Sequence, residues 1–417
     1  MSSNQQSDWL NQSLADLTGV RFSGNASALS SPGSYGDVRG VALSAIGFDQ
    51  AFDEISQWPG YAATPLTRLP GLASRLGIGS LLYKDERLRF DLKSFKALGG
   101  AYAVSRVLRA RLAAATPPVA ASLADLFSGK YSEQTRSLTV TCATDGNHGR
   151  SVAWGAQRLG CACVIFVHET VSEARASAIA QYGATVERVP GNYDDAVRHA
   201  ARMAAENHWT VVSDTSYEGY RDIPVDVMHG YGVMAAEIVN ELKTPPTHVF
   251  LQAGVGAMAA SITAAFWLAW GVARPRVIVV EPQNAACLLE SADAGKPVVV
   301  PGELETIMAG LACGEVSELA WPILQAGANG FMTISDDHAR LAMRLFADPA
   351  GKDPAVVSGE TGACGLGALL AASADPALFE SLGLSKQSRV LLIGSEGDTD
   401  EAIYQSIVGQ SASQVLR

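Results

Sequence analysis

Apolar and polar positions along this chain follow two spacings in turn. Between residues 137 and 212, short apolar runs of strand length alternate with stretches whose apolar positions recur at helical spacing. Residues 137–141, 161–167, 184–189 and 210–212 read as strands. Residues 149–159, 172–182 and 193–207 read as the helices between them. That alternation predicts a small parallel sheet with right-handed crossovers. The second half repeats the style, with a helix over 226–242, a strand over 247–251 and a helix over 258–269. A buried strand over 276–281, helices over 336–347 and 362–372, and a strand over 389–393 complete it. Ahead of both lie helices over 48–58 and 69–76, an apolar strand-like run over 80–83 and a helix over 101–115. Residues 1–45 are rich in Ser, Gly and Asn and carry one weak helical stretch near Trp9–Leu17. They read as a partly irregular arm over the body or a partner subunit. Residues 117–133 read as a polar insertion.

Composition narrows the class. The 417 residues are 48% hydrophobic and 18% charged, which suits a globular enzyme of two or three domains. A net charge of −11 argues against nucleic acid or an anionic membrane as partner. It leaves open an anionic cofactor, which needs only local backbone donors. Six scattered cysteines do not make a disulfide scaffold, and Cys161-Ala162-Cys163 sits in a buried-strand pattern without the spacing of a zinc pair. No metal set is read. The first residues lack a signal-peptide pattern, and the longest apolar stretch, 262–272, is too short to span a bilayer. A cytoplasmic enzyme is expected.

Four stretches carry candidate chemistry. Lys96 lies near a strand-to-helix connection, after Ser94-Phe95 and before Ala97-Leu98-Gly99-Gly100, read as a flexible pair of glycines. Such surroundings can desolvate an amine and make it a Schiff-base nucleophile; a solvated surface lysine is the plain alternative. Thr144-Asp145-Gly146-Asn147-His148-Gly149 follows a strand and opens a helix, where backbone N–H groups suit an anion. Asp145 there reads equally as a helix cap, and His148 as a satisfied turn residue with no catalytic role. Gly254-Val255-Gly256-Ala257-Met258 follows another strand, with Glu281 ending the next one. The pair formally matches a dinucleotide fingerprint, so an NAD-dependent dehydrogenase competes. The loop by itself certifies only a cradle for one phosphate. Ser395 stands at the carboxyl end of a late strand, where ligands of open α/β sheets bind. The acidic residues after it lack calcium-loop spacing and read as a hydrogen-bonded turn. Asp214 follows a strand and reads as a helix cap in preference to a substrate contact.

Taken together and in this order, Ser94-Phe95-Lys96, Asp145-Gly146-Asn147-His148, Gly254-Val255-Gly256-Ala257-Met258 and Gly394-Ser395-Glu396-Gly397 resemble the fold-type-II pyridoxal-phosphate enzymes. The resemblance is closer to the diaminopropionate ammonia-lyase family. It rests on Pro59-Gly60-Tyr61 with Thr64-Pro65-Leu66, on residues 95–100, on Thr144–Arg150 and on Glu218-Gly219-Tyr220 after Asp214. The resemblance implies an α/β fold with a large parallel-sheet domain (46–102 and 221–417) that binds the cofactor. A smaller αβ domain (103–220) is inserted after the lysine, and 1–45 is the arm. It implies that Lys96 forms the internal aldimine beside Phe95 and that Asn147 bonds the pyridoxal hydroxyl. Gly254, Val255, Gly256, Ala257 and Met258 would hold the phosphate, and Ser395 would meet the pyridine nitrogen. Thr144, Gly146 and Asp214 would contact substrate, with Asp214 on its distal ammonium.

Asp145 departs from the hydroxyamino-acid dehydratases, which carry a small or hydroxyl residue there. A carboxylate at that place implies a second base opposite Lys96, and turnover of both D- and L-2,3-diaminopropionate to pyruvate and two ammonia. A serine or threonine dehydratase is the alternative within the class, and a non-catalytic carrier of the cofactor the alternative outside enzymes. The resemblance also implies a homodimer. Cys287 follows the strand that ends at Glu281, on the carboxyl side where the site should lie, and Cys313 falls on a small-residue loop that in this family returns toward the same mouth. Two separate thiols are the first reading; a bond would require Cα atoms within about 7 Å.

Overall fold

The computed structural model describes residues 17–30, 34–37, 42–144, 146–191, 193–349 and 351–417. The strands run in chain order as β1 (Arg21–Gly24), β2 (Leu66–Arg68), β3 (Ser80–Asp85), β4 (Thr139–Ala143), β5 (Ala162–His168) and β6 (Thr185–Val189). They continue as β7 (Thr210–Val211), β8 (His248–Gln252), β9 (Arg276–Pro282), β10 (Gly330–Ile334) and β11 (Arg389–Gly394). Two compact units form, one of residues 42–62 and 94–233, the other of residues 1–41, 63–93 and 234–417.

The first unit carries a four-stranded sheet in the order β6-β5-β4-β7, parallel throughout. Helices α1 (Ala97–Ala113) and α2 (Asn147–Leu159) pack closely because small residues line their contact. A Cβ on Gly155 would stand 2.7 Å from the Ala101 Cα, and one on Gly100 would stand 1.9 Å from the Ser151 Oγ. The helix expected from residue 101 therefore starts at Ala97, directly after Lys96. Gly99 and Gly100 are buried helix residues, not a flexible joint. The expected insertion holds two short helices, Leu123–Phe127, opened by a Ser122–Asp125 capping box, and Ser132–Arg136.

The second unit carries a seven-stranded sheet in the order β1-β10-β9-β8-β11-β3-β2. Its interior strands are parallel, as the near-continuous apolar runs of β8, β9 and β11 predict. Its two edges, β1 on β10 and β2 on β3, are antiparallel, so the large sheet is mixed. Neither β1 nor β10 was among the expected strands. β1 belongs to the stretch expected as an arm; the helical stretch expected near Trp9–Leu17 falls, Leu17 apart, outside the described residues. Helix α3 (Asp222–Glu241) begins in the first unit and ends in this one. Helix α4 (Ala257–Trp270) follows β8, and α5 (Cys287–Ala294) follows β9. Tyr83, Phe250, Ile278, Met332, Leu366 and Leu392 form the centre of one large core.

Three buried histidines make the fold sensitive to acid. Burial pushes His229, His248 and His338 each down to about 4. Arg106 adds to the effect at His229, and the hydrogen bond to the Leu382 carbonyl opposes it at His248. The geometry agrees at His229, whose Nε2 accepts the Ser44 N–H at 3.2 Å, as an imidazolium cannot. Unfolded, such rings titrate near about 6.5, so the unfolded chain binds more protons between that value and about 4. Their contribution is fully present above about 6.5 and is lost as pH falls through about 4. The unfolding free energy is expected to fall from pH 7 to pH 5, with a slope of up to about 4 kcal/mol per pH unit where all three titrate, and the urea midpoint to drop with it. A midpoint unchanged over that range would contradict this account.

Candidate functional site

In the first unit, Lys96 is the residue from which α1 springs. Its Nζ lies 2.5 Å from the Asp214 Oδ2 and stands over the rings of Phe95 and Tyr231, at 5.2 and 5.6 Å from their centroids. The two rings are themselves in contact, with centroids 4.7 Å apart. The amine thus has an apolar wall, as its neighbours suggested, and a carboxylate partner that they did not. Asp214 is no helix cap, since the next helix begins only at Asp222. Burial pushes the Asp214 carboxyl up, but the His148 ring and the Lys96 ammonium outweigh it and hold the group well below the usual carboxylate range.

The backbone that presents Asp214 is held from two sides. The His148 Nε2 donates to the Val212 carbonyl at 2.8 Å, which leaves its Nδ1 3.7 Å from the Asp214 Oδ2. The Tyr220 hydroxyl donates to the Val211 carbonyl and accepts from the Ser213 N–H, both at 2.9 Å. Gly219, at φ +81°, makes the turn that brings Tyr220 back, and Tyr217 stacks on its ring. His148 is hydrogen-bonded, as its reading as a satisfied residue expected, and its ring also lies beside the lysine's carboxylate partner.

The turn between β4 and α2 is organised by Thr144, whose buried Oγ1 accepts the N–H groups of Gly146 and Gly149 at 3.0 and 3.1 Å. Asn147 opens α2 and is partly exposed. Asp145 lies outside the described residues.

In the second unit, β8 runs into the glycine loop and on into α4. Gly256 sits at φ +95°, a left-handed conformation that turns the chain into the helix. No side chain caps that helix, so its first N–H groups are available to an anion. The Ser317 N–H donates to the Val255 carbonyl at 2.9 Å and fixes the loop. A Cβ on Gly254 would lie 2.8 Å from the Cys313 Sγ and 3.0 Å from the Gly310 carbonyl, so the loop tolerates only glycine there. The Cys287 Sγ lies 3.6 Å from the Gly254 carbonyl oxygen. Both sulfurs lie beside this glycine, and they are not joined in a disulfide.

Ser395 directly follows β11 and is buried. Its Oγ accepts from the Gln252 Nε2 at 2.7 Å, and the same nitrogen donates to the Ile393 carbonyl at 2.7 Å. The acidic stretch after it is a hydrogen-bonded turn, as expected. Asp398 pairs with Lys93 at 2.8 Å, and Asp400 caps the helix Glu401–Val408.

Glu281 is not placed to read a ribose. It is fully buried, and its carboxylate accepts the N–H groups of Leu288 and Leu289 at the start of α5, at 2.7 and 2.8 Å. Burial pushes it up to about 8, against the pull of those two amides. The fingerprint's acid is thus spent on a helix terminus, and the dehydrogenase reading loses its second half.

Three residues of the two units' candidate stretches gained their partners only from the fold. Tyr231 reaches Lys96 from α3, far along the chain. Gln252 reads as the last residue of a strand. His148 stood in a recognised motif, but its partner carbonyl is that of Val212, just after β7, which adjoins β4 only in the folded sheet.

Comparison with known proteins agrees with this geometry. A family model described as pyridoxal-phosphate dependent enzyme matches residues 57–396. The diaminopropionate ammonia-lyase of Escherichia coli (strain K12) is 41% identical over 362 residues, covering 85% of this chain and 89% of that protein. The crystal structure of the Escherichia coli enzyme in complex with D-serine aligns with a TM-score of 0.84 at 37% identity, over 95% of this chain and 98% of that one. Its complex with an aminoacrylate-PLP azomethine reaction intermediate aligns with a TM-score of 0.83 at 37% identity, over 94% and 97%. The chain belongs to the pyridoxal-phosphate-dependent enzymes of fold type II and, within them, to the diaminopropionate ammonia-lyase family.

Proposed function

We propose that this protein is a pyridoxal-phosphate-dependent ammonia-lyase that converts 2,3-diaminopropionate and one water to pyruvate and two ammonia. The observation that carries the reading is the Lys96–Asp214 pair, an amine nucleophile held against a carboxylate. The donor sets suit the cofactor group by group. A primary amine serves its carbonyl, the uncapped start of α4 its phosphate, and the Ser395 hydroxyl its pyridine nitrogen. When bound, the cofactor supplies the electron sink that lets a β substituent depart.

The chain's own residues do the rest. Lys96 holds the cofactor, with Phe95 as apolar wall, and moves the α proton of the substrate. Gly254, Val255, Gly256, Ala257 and Met258 bind the phosphate, and Asn147 bonds the ring hydroxyl. Thr144 holds the turn at Gly146 along which the substrate carboxylate lies. Asp214 presents its carboxylate to a cation. The distal ammonium of the substrate would pair with Asp214 as the lysine ammonium does here. Keeping that amine protonated helps it leave. Asp145 acts as the second base, serving the face that Lys96 does not.

The test is turnover of D- and L-diaminopropionate, serine and threonine side by side. Diaminopropionate is expected to be the best substrate in both configurations. Asp145→Asn is expected to lose the D-isomer far more than the L-isomer. Equal losses would make Asp145 an orienting group or an acid, and threonine as best substrate would make the protein a dehydratase. We further propose a cytoplasmic homodimer. Among the described residues, no helix is long and apolar enough to cross a membrane. A monomer in light scattering would overturn the dimer.

A further inference from the structure

We infer that Gln252 is a positioning residue that sets the polarity of the Ser395 hydroxyl, making it a donor to the cofactor's pyridine nitrogen. The inference rests on the proposed placement of that nitrogen at Ser395.

The argument is an accounting of donors and acceptors. Gln252 is 1% exposed at the end of β8. One face of its amide lies 2.7 Å from the Ile393 carbonyl oxygen, which can only accept. The group there must be the NH₂, which fixes the orientation of the amide. The second hydrogen of that nitrogen goes to the Ser395 Oγ at 2.7 Å. Gln252 thus spends both donors on β11 and its end, while its own buried Oε1 has no hydrogen-bond partner among the described residues. A hydroxyl has one hydrogen and two lone pairs. With a lone pair of Ser395 taken by Gln252, and the Ile393 carbonyl engaged by the same amide, the serine proton is left to point at an incoming acceptor. An unprotonated pyridine nitrogen is such an acceptor. Gln252 therefore disfavours a protonated ring, and with it the strong electron sink that an acidic partner would create. A prompt β-elimination tolerates the weaker sink.

The experiment uses holoenzyme reconstituted with pyridoxal phosphate labelled with ¹⁵N in the ring. Parent enzyme is expected to show the resonance of an unprotonated, hydrogen-bonded nitrogen. Ser395→Ala should shift it toward that of a nitrogen without a donor. Gln252→Met should produce most of that shift with Ser395 still present, because no donor then occupies the hydroxyl's lone pair and fixes the direction of its proton. Gln252→Glu is close in shape, covers the case in which the methionine variant does not fold, and should shift the resonance the same way, since a carboxylate takes the serine proton. A protonated ring in the parent overturns the inference, as does an unmoved resonance in either Gln252 variant alongside a shift in Ser395→Ala. If Ser395→Ala also leaves it unmoved, the placement of the ring at Ser395 fails, and the inference with it. The cofactor reading fails separately, if the visible band of a lysine-linked cofactor, bleachable by borohydride, is missing from the parent.

Discussion

Lys96→Ala is expected to lose the lysine-linked absorption band and to lower ammonia release from diaminopropionate by several orders of magnitude. The substitution removes the nucleophile that binds the cofactor and the base that moves the α proton in one step. It also leaves the Asp214 carboxylate without its nearest cation, in a place where burial already works against the charge. Lys96→Arg separates the two effects. A guanidinium keeps a positive charge beside Asp214 but makes no imine with the cofactor. Its band and turnover should be as absent as in the alanine variant, while its thermal midpoint stays closer to that of the parent apoprotein. Borohydride followed by peptide mass mapping supplies the direct check, with reduced pyridoxyl mass on the peptide that contains Lys96. Near-normal turnover in either variant, or label on another lysine, would move the site elsewhere.

The parts of this molecule that could be read in advance are those whose cause is local. Parallel interior strands such as β8 and β9 are written as continuous apolar runs, because both of their faces are buried. The glycine loop is written in residues that alone tolerate the backbone, as Gly256 at φ +95° shows. What escaped has distant causes. Gly99 and Gly100 lower helix propensity, and a local reading makes them a joint. Tertiary packing overrides it, since a Cβ on Gly99 would lie 2.4 Å from the Tyr231 ring, more than a hundred residues on. The Asp214 partnership with Lys96 and the His148 bond to the Val212 carbonyl likewise exist only once β7 lies beside β4. The edge strands gave weak signals for a different reason. β2 has three residues and β1 four, and both are partly exposed and paired on one side only.

The second large effect is expected at a place with no chemistry of its own. Four charged side chains, Lys84, Glu86, Arg89 and Glu237, are buried together to 3% exposure or less. Arg89 forks onto both carboxylates. Its Nε and Nη2 reach Glu86 at 2.9 Å each, and its Nη1 and Nη2 reach Glu237 at 2.8 Å each. Lys84 adds a 2.6 Å contact to Glu237, and the Thr64 hydroxyl donates to Glu86 at 2.6 Å. Burial pushes the guanidinium down, but the two carboxylates outweigh it and hold its pKa well above the ordinary value. The charges sum to zero, so the cluster is stable only as a set. Arg89→Met leaves two buried carboxylates facing one lysine, and breaking such a pair from one side costs about 3–5 kcal/mol. A urea titration of the apoprotein should show that loss. Arg89→Met combined with Glu86→Leu, which restores neutrality, should recover part of it. The cluster also clamps a costly turn. Phe90, Asp91 and Lys93, just beyond it, all lie at φ between +51° and +59°, which non-glycine residues adopt at about 1–3 kcal/mol each. The carbonyl of Lys93 then accepts the Gly397 N–H at 2.9 Å, two residues after Ser395. Loosening Arg89 should therefore reach the Ser395 loop, and the variant is expected to lose cofactor on dialysis faster than the parent. A variant within about 1 kcal/mol of the parent in urea, below the cost of an uncompensated buried charge, would show that the four charges do not act as a set.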